Sequence, residues 1–344
     1  MTHHGRSRRP PKGAFTLKRL LVRALGRETS PLGYGCAALT AAGSRRDAIR
    51  VLEAAFDAGI RHFDVARLYG QGVAEEILGE FLAGKRAEVT ITSKFGLEPA
   101  PVVARVPFLP TVKRLLKLIP AIDRRVRRTV SSMTAAGSFD VESARRSLET
   151  SLRMLRTDYL DCWLLHEADA DEANRPELVE FLLERQRAGQ VRAFGLGSAF
   201  QRLGGDCSRF PGCFQVFQFE NSVLGRERRR LGGVLGRALI THSALAPMPR
   251  ALEHLGRSPG AVSRFNGEHG FDLRSPRDVA ALMLAWAVRD NPEGVVLFGS
   301  GSPHHVRENV ALLDDPRVTP AALWGFEALF TPEAEPNRSS PASP

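Results

Sequence analysis

The chain has 344 residues, 43% of them hydrophobic and 25% charged, which suits one large α/β barrel or two average domains and excludes a chain that is disordered throughout. No run of 18 apolar residues occurs, which excludes a membrane-spanning helix, and four cysteines without a C-x-x-C motif exclude a disulfide scaffold and point to a reducing, cytoplasmic setting. The net charge of +10 sits in two places, the acid-free segment 1–27 and the stretch 111–128 that holds only Asp123 against its lysines and arginines, so the rest of the chain is slightly acidic and no nucleic-acid partner is expected.

In chain order, residues 1–28 read as a basic, flexible tail. Lys18, Arg19 and Arg23 break the only apolar candidate for a secretion signal. Solvated charge, a transit-peptide-like role and weak contact with anions or a membrane surface all remain open for this tail.

From residue 29 to 334 short β-branched or aliphatic runs alternate with segments of helical apolar spacing, as expected for a single domain. One strand is expected near Cys36 to Leu39. The others are His62 to Ala66, Val89 to Phe95, Tyr159 to His166, Val191 to Ser198, Phe214 to Phe219, Ala238 to His242 and Val295 to Phe298. Helices are expected over 45–58, 141–155, 174–188 and 277–289. Eight strands alternating with helices, and no G-x-G-x-x-G turn after the first strand, predict a (β/α)₈ TIM barrel, an α/β fold, rather than an open dinucleotide-binding sheet. Two segments break the rhythm, 97–140 and 246–275, and both follow strand C-termini, where such barrels build substrate loops. Residues 335–344 read as a disordered tail.

The second strand runs into Phe63-Asp64-Val65-Ala66-Arg67-Leu68-Tyr69-Gly70-Gln71-Gly72, the third ends in Thr92-Ser93-Lys94-Phe95-Gly96 and the fourth in Trp163-Leu164-Leu165-His166. Neighbouring strand ends share one rim of a barrel, so Asp64, Tyr69, Lys94 and His166 are expected in one pocket. Lys94 is conspicuous as the lysine inside a predicted strand of an arginine-rich chain. A compact ammonium beside a phenol is chemistry that a guanidinium fork does not reproduce. His62, His166 and His242 lack accompanying strand-end carboxylates, so no metal site is expected.

With FDVARLYGQGVAEEILG, ITSKFG, the LLH strand end and VVLFGSGSPHHVREN, the chain from Gly33 to Asn309 resembles the aldo-keto reductase superfamily. The resemblance implies an oxidoreductase that reduces an aldehyde or ketone, or oxidises the alcohol, by hydride transfer from NAD(P)H, with its tetrad on Asp64, Tyr69, Lys94 and His166. It also implies that Ser198 and Gln218 hold the nicotinamide carboxamide, although the usual Ser-Asn pair reads Gly197-Ser198 here, and that His242, followed by Ser243, stands where many members stack an aromatic ring. Gly299, Ser300, Ser302, His305, Arg307 and Asn309 fall on the adenosine-phosphate site. NADP is the expected cofactor, with NAD open, and Arg307 is the permanent cation near the 2′-phosphate. The alternative is a barrel of this kind that senses nucleotide as a regulatory or binding protein. A small-molecule carbonyl or alcohol is the expected partner.

Overall fold

The computed structural model describes residues 17–99 and 137–331. Among them, ten strands form a two-stranded hairpin and a closed parallel barrel. The hairpin pairs β1 (Leu20–Val22) with β2 (Arg27–Thr29). The barrel consists of β3 (Leu32–Gly35), β4 (His62–Asp64), β5 (Thr90–Phe95), β6 (Leu160–His166), β7 (Val191–Gly197), β8 (Val216–Glu220), β9 (Ala238–His242) and β10 (Val295–Phe298). It closes where β10 pairs with β3, Val296 opposite Leu32.

Around it lie α1 (Arg45–Asp57), α2 (Val73–Phe81), α3 (Val141–Leu155), α4 (Pro176–Arg187), α5 (Met248–Gly256), α6 (Pro259–His269), α7 (Pro276–Asp290), α8 (Pro303–Ala311) and α9 (Pro320–Ala328). Local chemistry sets several starts: the Ser44 side chain accepts from the Asp47 N–H, Asp140 does so from Ser143, and proline opens α4, α5, α6, α7, α8 and α9.

Strand alternation sorts the core into two compartments. Phe63, Ile91, Trp163, Leu165, Phe194 and Phe217 face the helices, while Cys162, Leu164, Ala193, Val216, Ile240, Val295 and Leu297 fill the barrel interior. Gly79 sets how closely α2 meets α3, because a Cβ there would stand 2.1 Å from the Met154 carbonyl oxygen.

Three expectations differ from this structure. The first barrel strand is Leu32–Gly35, and Cys36–Ala41 forms a 3₁₀ turn instead. Residues 17–29 are not a tail: they form the hairpin, and its buried Val22 and Leu25 join the interior side chains at the barrel floor. The segment 246–275 is largely helical, carrying α5 and α6, whose Ala251, Leu255, Val262 and Phe265 are buried. Most of the 97–140 segment, together with residues 1–16 and 332–344, lies outside the described residues.

Candidate active site

The same alternation that lines much of the barrel interior with apolar side chains places polar ones along the inner face of β4 and β5, up to the C-terminal rim. His62 and Asp64 of β4, and Thr90, Thr92 and Lys94 of β5, face inward. His62 Nδ1 lies 3.0 Å from Thr90 Oγ1 and its Nε2 lies 3.3 Å from Thr92 Oγ1. Lys94 Nζ donates to Asp64 Oδ1 at 2.6 Å, to the Val65 carbonyl at 3.4 Å and to Tyr69 Oη at 3.2 Å. The ring of His166, at the end of β6, meets the Tyr69 ring edge-on with centroids 6.1 Å apart. The four residues expected to meet do meet.

Tyr69 reaches this point because the chain after β4 folds back tightly. Gly70 and Gln71 both take left-handed backbone, with φ of 59° and 62°, a conformation that glycine adopts without cost and glutamine does not. A buried ion pair holds the turn: Arg67 Nη1 bonds Glu75 Oε2 at 2.8 Å, and Ser93 Oγ donates to Glu75 Oε1 at 2.7 Å. Sequence reasoning assigned Glu75 no role. Its partners Arg67 and Ser93 come from a turn and a strand whose convergence only the fold reveals.

Burial raises the Tyr69 phenol above its ordinary value, and Lys94 pulls it back down. Against its own burial, the Lys94 ammonium is held above the ordinary lysine range by Asp64 and then by Tyr69. Burial, reinforced by the Lys94 charge, drops His166 to about 3, so its imidazole is neutral at ordinary pH. Its Nδ1 is buried with no partner among the described residues.

These groups open into a cavity of about 380 Å³ walled by the tetrad and by Gly35, Glu167, Gly197, Ser198, Gln218, His242, Ser243, Leu245 and Gly299. Ser198 Oγ donates to the Ala168 carbonyl at 3.1 Å, and Gln218 Nε2 donates to Asp64 Oδ2 at 2.7 Å. Burial lowers His242, and its Nδ1 lies 2.8 Å from Ser243 Oγ. Of the residues expected around the adenosine phosphates, Gly299 lines the cavity. Ser300, Ser302, His305, Arg307 and Asn309 stand beyond it on the loop and on α8, where Ser302 caps the helix at the His305 N–H and Arg307 is exposed. Glu167, not anticipated from the sequence, lines the cavity beside His166 with a φ of 63°.

The site is therefore a phenol, an ammonium, a carboxylate and an imidazole gathered on the C-terminal rim of a closed parallel barrel. The profile of the Aldo/keto reductase family matches residues 31–201. The chain is 28% identical over 334 residues to pyridoxal 4-dehydrogenase from Microbacterium luteolum, covering 89% of this chain and 93% of that one. It is 34% identical over 183 residues to D-threo-aldose 1-dehydrogenase from a Pseudomonas species, covering 51% and 52%. In fold it is similar to an aldo-keto reductase from Klebsiella pneumoniae solved with NADPH, at a TM-score of 0.60, 20% identity and coverage of 91% and 96%. Residues 31–201 thus carry the sequence pattern of the aldo-keto reductase family.

Proposed function

We propose that this protein transfers hydride between a nicotinamide dinucleotide, NADP by preference, and a small carbonyl or alcohol, with Tyr69 as general acid and base. The observation that carries this reading is the ammonium of Lys94, 3.2 Å from Tyr69 Oη and 2.6 Å from Asp64 Oδ1. When bound, the nicotinamide supplies or accepts the hydride.

The residues present fit that cofactor. Gly299 lets the loop after β10 pass close to the end of β3 and the 3₁₀ turn that follows it, since a Cβ there would lie 2.8 Å from Ala38 Cβ and 3.0 Å from the Gly35 carbonyl oxygen, and the loop leads directly into the N-terminus of α8, where backbone N–H groups favour phosphate. Arg307 is the permanent cation on α8 for a 2′-phosphate.

Tyr69 gives a proton to the oxygen of the substrate as carbon is reduced, and takes it back in the reverse direction. Lys94 stabilises the phenolate that this leaves, and Asp64 holds the ammonium in place. Neutral His166 orients the substrate oxygen toward Tyr69.

Absorbance of NADPH followed against a panel of aldehydes and ketones tests the reading. Tyr69→Phe should reduce turnover by about 10² or more while the dissociation constant for NADPH stays near wild type. Undiminished turnover in the variant removes Tyr69 from the chemistry. NADPH should bind about tenfold more tightly than NADH, and Arg307→Ala should abolish the difference.

A further inference from the structure

We propose that Gln218 is a positioning residue for the proton relay: it fixes the second oxygen of Asp64 from the opposite wall of the barrel. The role rests on the relay described above and is additional to any contact that Gln218 makes with a cofactor. In the ring of strands β8 stands four places from β4, so the Gln218 side chain crosses the barrel to reach Asp64. Both residues are buried, 3% and 2% exposed. Asp64 presents two oxygens and each has a donor, Lys94 Nζ on Oδ1 at 2.6 Å and Gln218 Nε2 on Oδ2 at 2.7 Å.

A buried carboxylate deprived of one donor pulls harder on the other. The ammonium of Lys94 divides its hydrogens among Asp64, the Val65 carbonyl and Tyr69. Loss of the Gln218 donor therefore draws it toward Asp64 and away from the phenol. Among the described residues the other groups facing Tyr69 are Cys36 from the turn after β3 and His166 from β6, and neither of them compensates.

The other end of the amide is left for the cavity. A Cβ at residue 197 would stand 3.1 Å from Gln218 Oε1, so Gly197 leaves that oxygen accessible. One amide thus faces the cavity with its oxygen and the relay with its nitrogen. Ser198, a neighbour in the same wall, makes no such link, since its hydroxyl goes to the Ala168 carbonyl.

The test uses the full chain without cofactor. The Tyr69 phenol is titrated by rapid pH jump, following phenolate absorbance and subtracting the same titration of Tyr69→Phe. In Gln218→Met the midpoint should rise by about one pH unit, whereas Ser198→Ala should leave it where it is in the wild type. If Gln218→Met does not fold, Gln218→Asn, one methylene too short to reach Asp64, should give the same rise. An unmoved or lowered midpoint, or an equal rise in Ser198→Ala, overturns the proposal. Because no turnover enters the measurement, its failure is distinct from failure of the catalytic reading, which Tyr69→Phe turnover decides.

Discussion

Lys94 meets its three acceptors with one compact charge, and that geometry separates lysine from arginine. Lys94→Met keeps the stem and removes the ammonium, so the phenol loses its stabilising cation and turnover should fall by about 10² or more. Lys94→Arg should rescue little, because a planar guanidinium needs room that a 2%-exposed side chain between Asp64 and Tyr69 does not have. Steady-state kinetics of both variants check this, and arginine working as well as lysine would show that compactness is irrelevant. His62 gives a pH prediction at the same scale. Burial holds it at about 4, against 6.5 for an exposed histidine. Between those values the unfolded chain binds a proton that the folded chain refuses. The resulting stability is complete above pH 6.5 and is lost as pH falls toward 4, on the order of 3 kcal/mol across that window. Urea midpoints at pH 7 and pH 5 should show the loss, and His62→Asn should reduce it without abolishing it, because His166 and His242, lowered by burial in the same way, contribute over the same window. Asp64, Lys94 and His166 were legible because each is a chemically specific residue near the end of a predicted strand, and Tyr69 because it lies in the glycine-rich turn that follows one of them. Glu75 and the Gln218–Asp64 bond were not, since both depend on side chains that meet only after the barrel closes.

The hairpin shows what one small element contributes. Its Arg27 reaches Asp161 of β6 at 3.2 Å, where Arg86 at 2.9 Å, Arg192 at 3.5 Å and the Ile91 N–H at 2.9 Å also converge. Asp161 is fully buried, whereas the Arg192 side chain is 46% exposed. Asp161→Ala removes the carboxylate shared by three guanidinium groups and leaves the buried Ile91 N–H without its acceptor, and should cost about 3 kcal/mol or more. Arg192→Ala should cost less than about 1 kcal/mol. Chemical denaturation of the two variants gives the comparison, and similar costs would mean that burial does not govern this cluster. Charge patterning hid the hairpin: in the sequence its arginines continue the basic run before it, and only the partner Asp161, 134 residues away, reveals them as structural. The first barrel strand was misplaced for a different reason. Gly33 and Gly35 make Leu32–Gly35 look like a turn, yet a Cβ at Gly33 would lie 2.6 Å from Leu297 Cδ2, so the glycine is there to let strands approach. The helices α5 and α6 escaped notice because the prolines and glycines near their ends read as loop signals, although proline at a first turn opens a helix.

For the whole molecule, the alternation of strands with helices was enough to give a closed barrel. No sequence period sets where the long segments between strands travel, which is why the walls of the cavity were less legible than its floor. Closure itself has a consequence for the history of each molecule. The seam joins β3, near the start of the chain, to β10, more than 260 residues later, through Val296 and Leu32, Leu297 and Gly33, and Phe298 and Tyr34. Until residue 298 has left the ribosome, β3 carries an unpaired edge, and so does whichever strand was made last. A nascent chain of this length must therefore survive most of its synthesis as an open, curling sheet whose edges can pair with those of its neighbours. Chains that stop before Val295 should accumulate as aggregates, or bound to chaperones, and pulse-labelled synthesis should show protease resistance arriving in a single late step once the last strand is made.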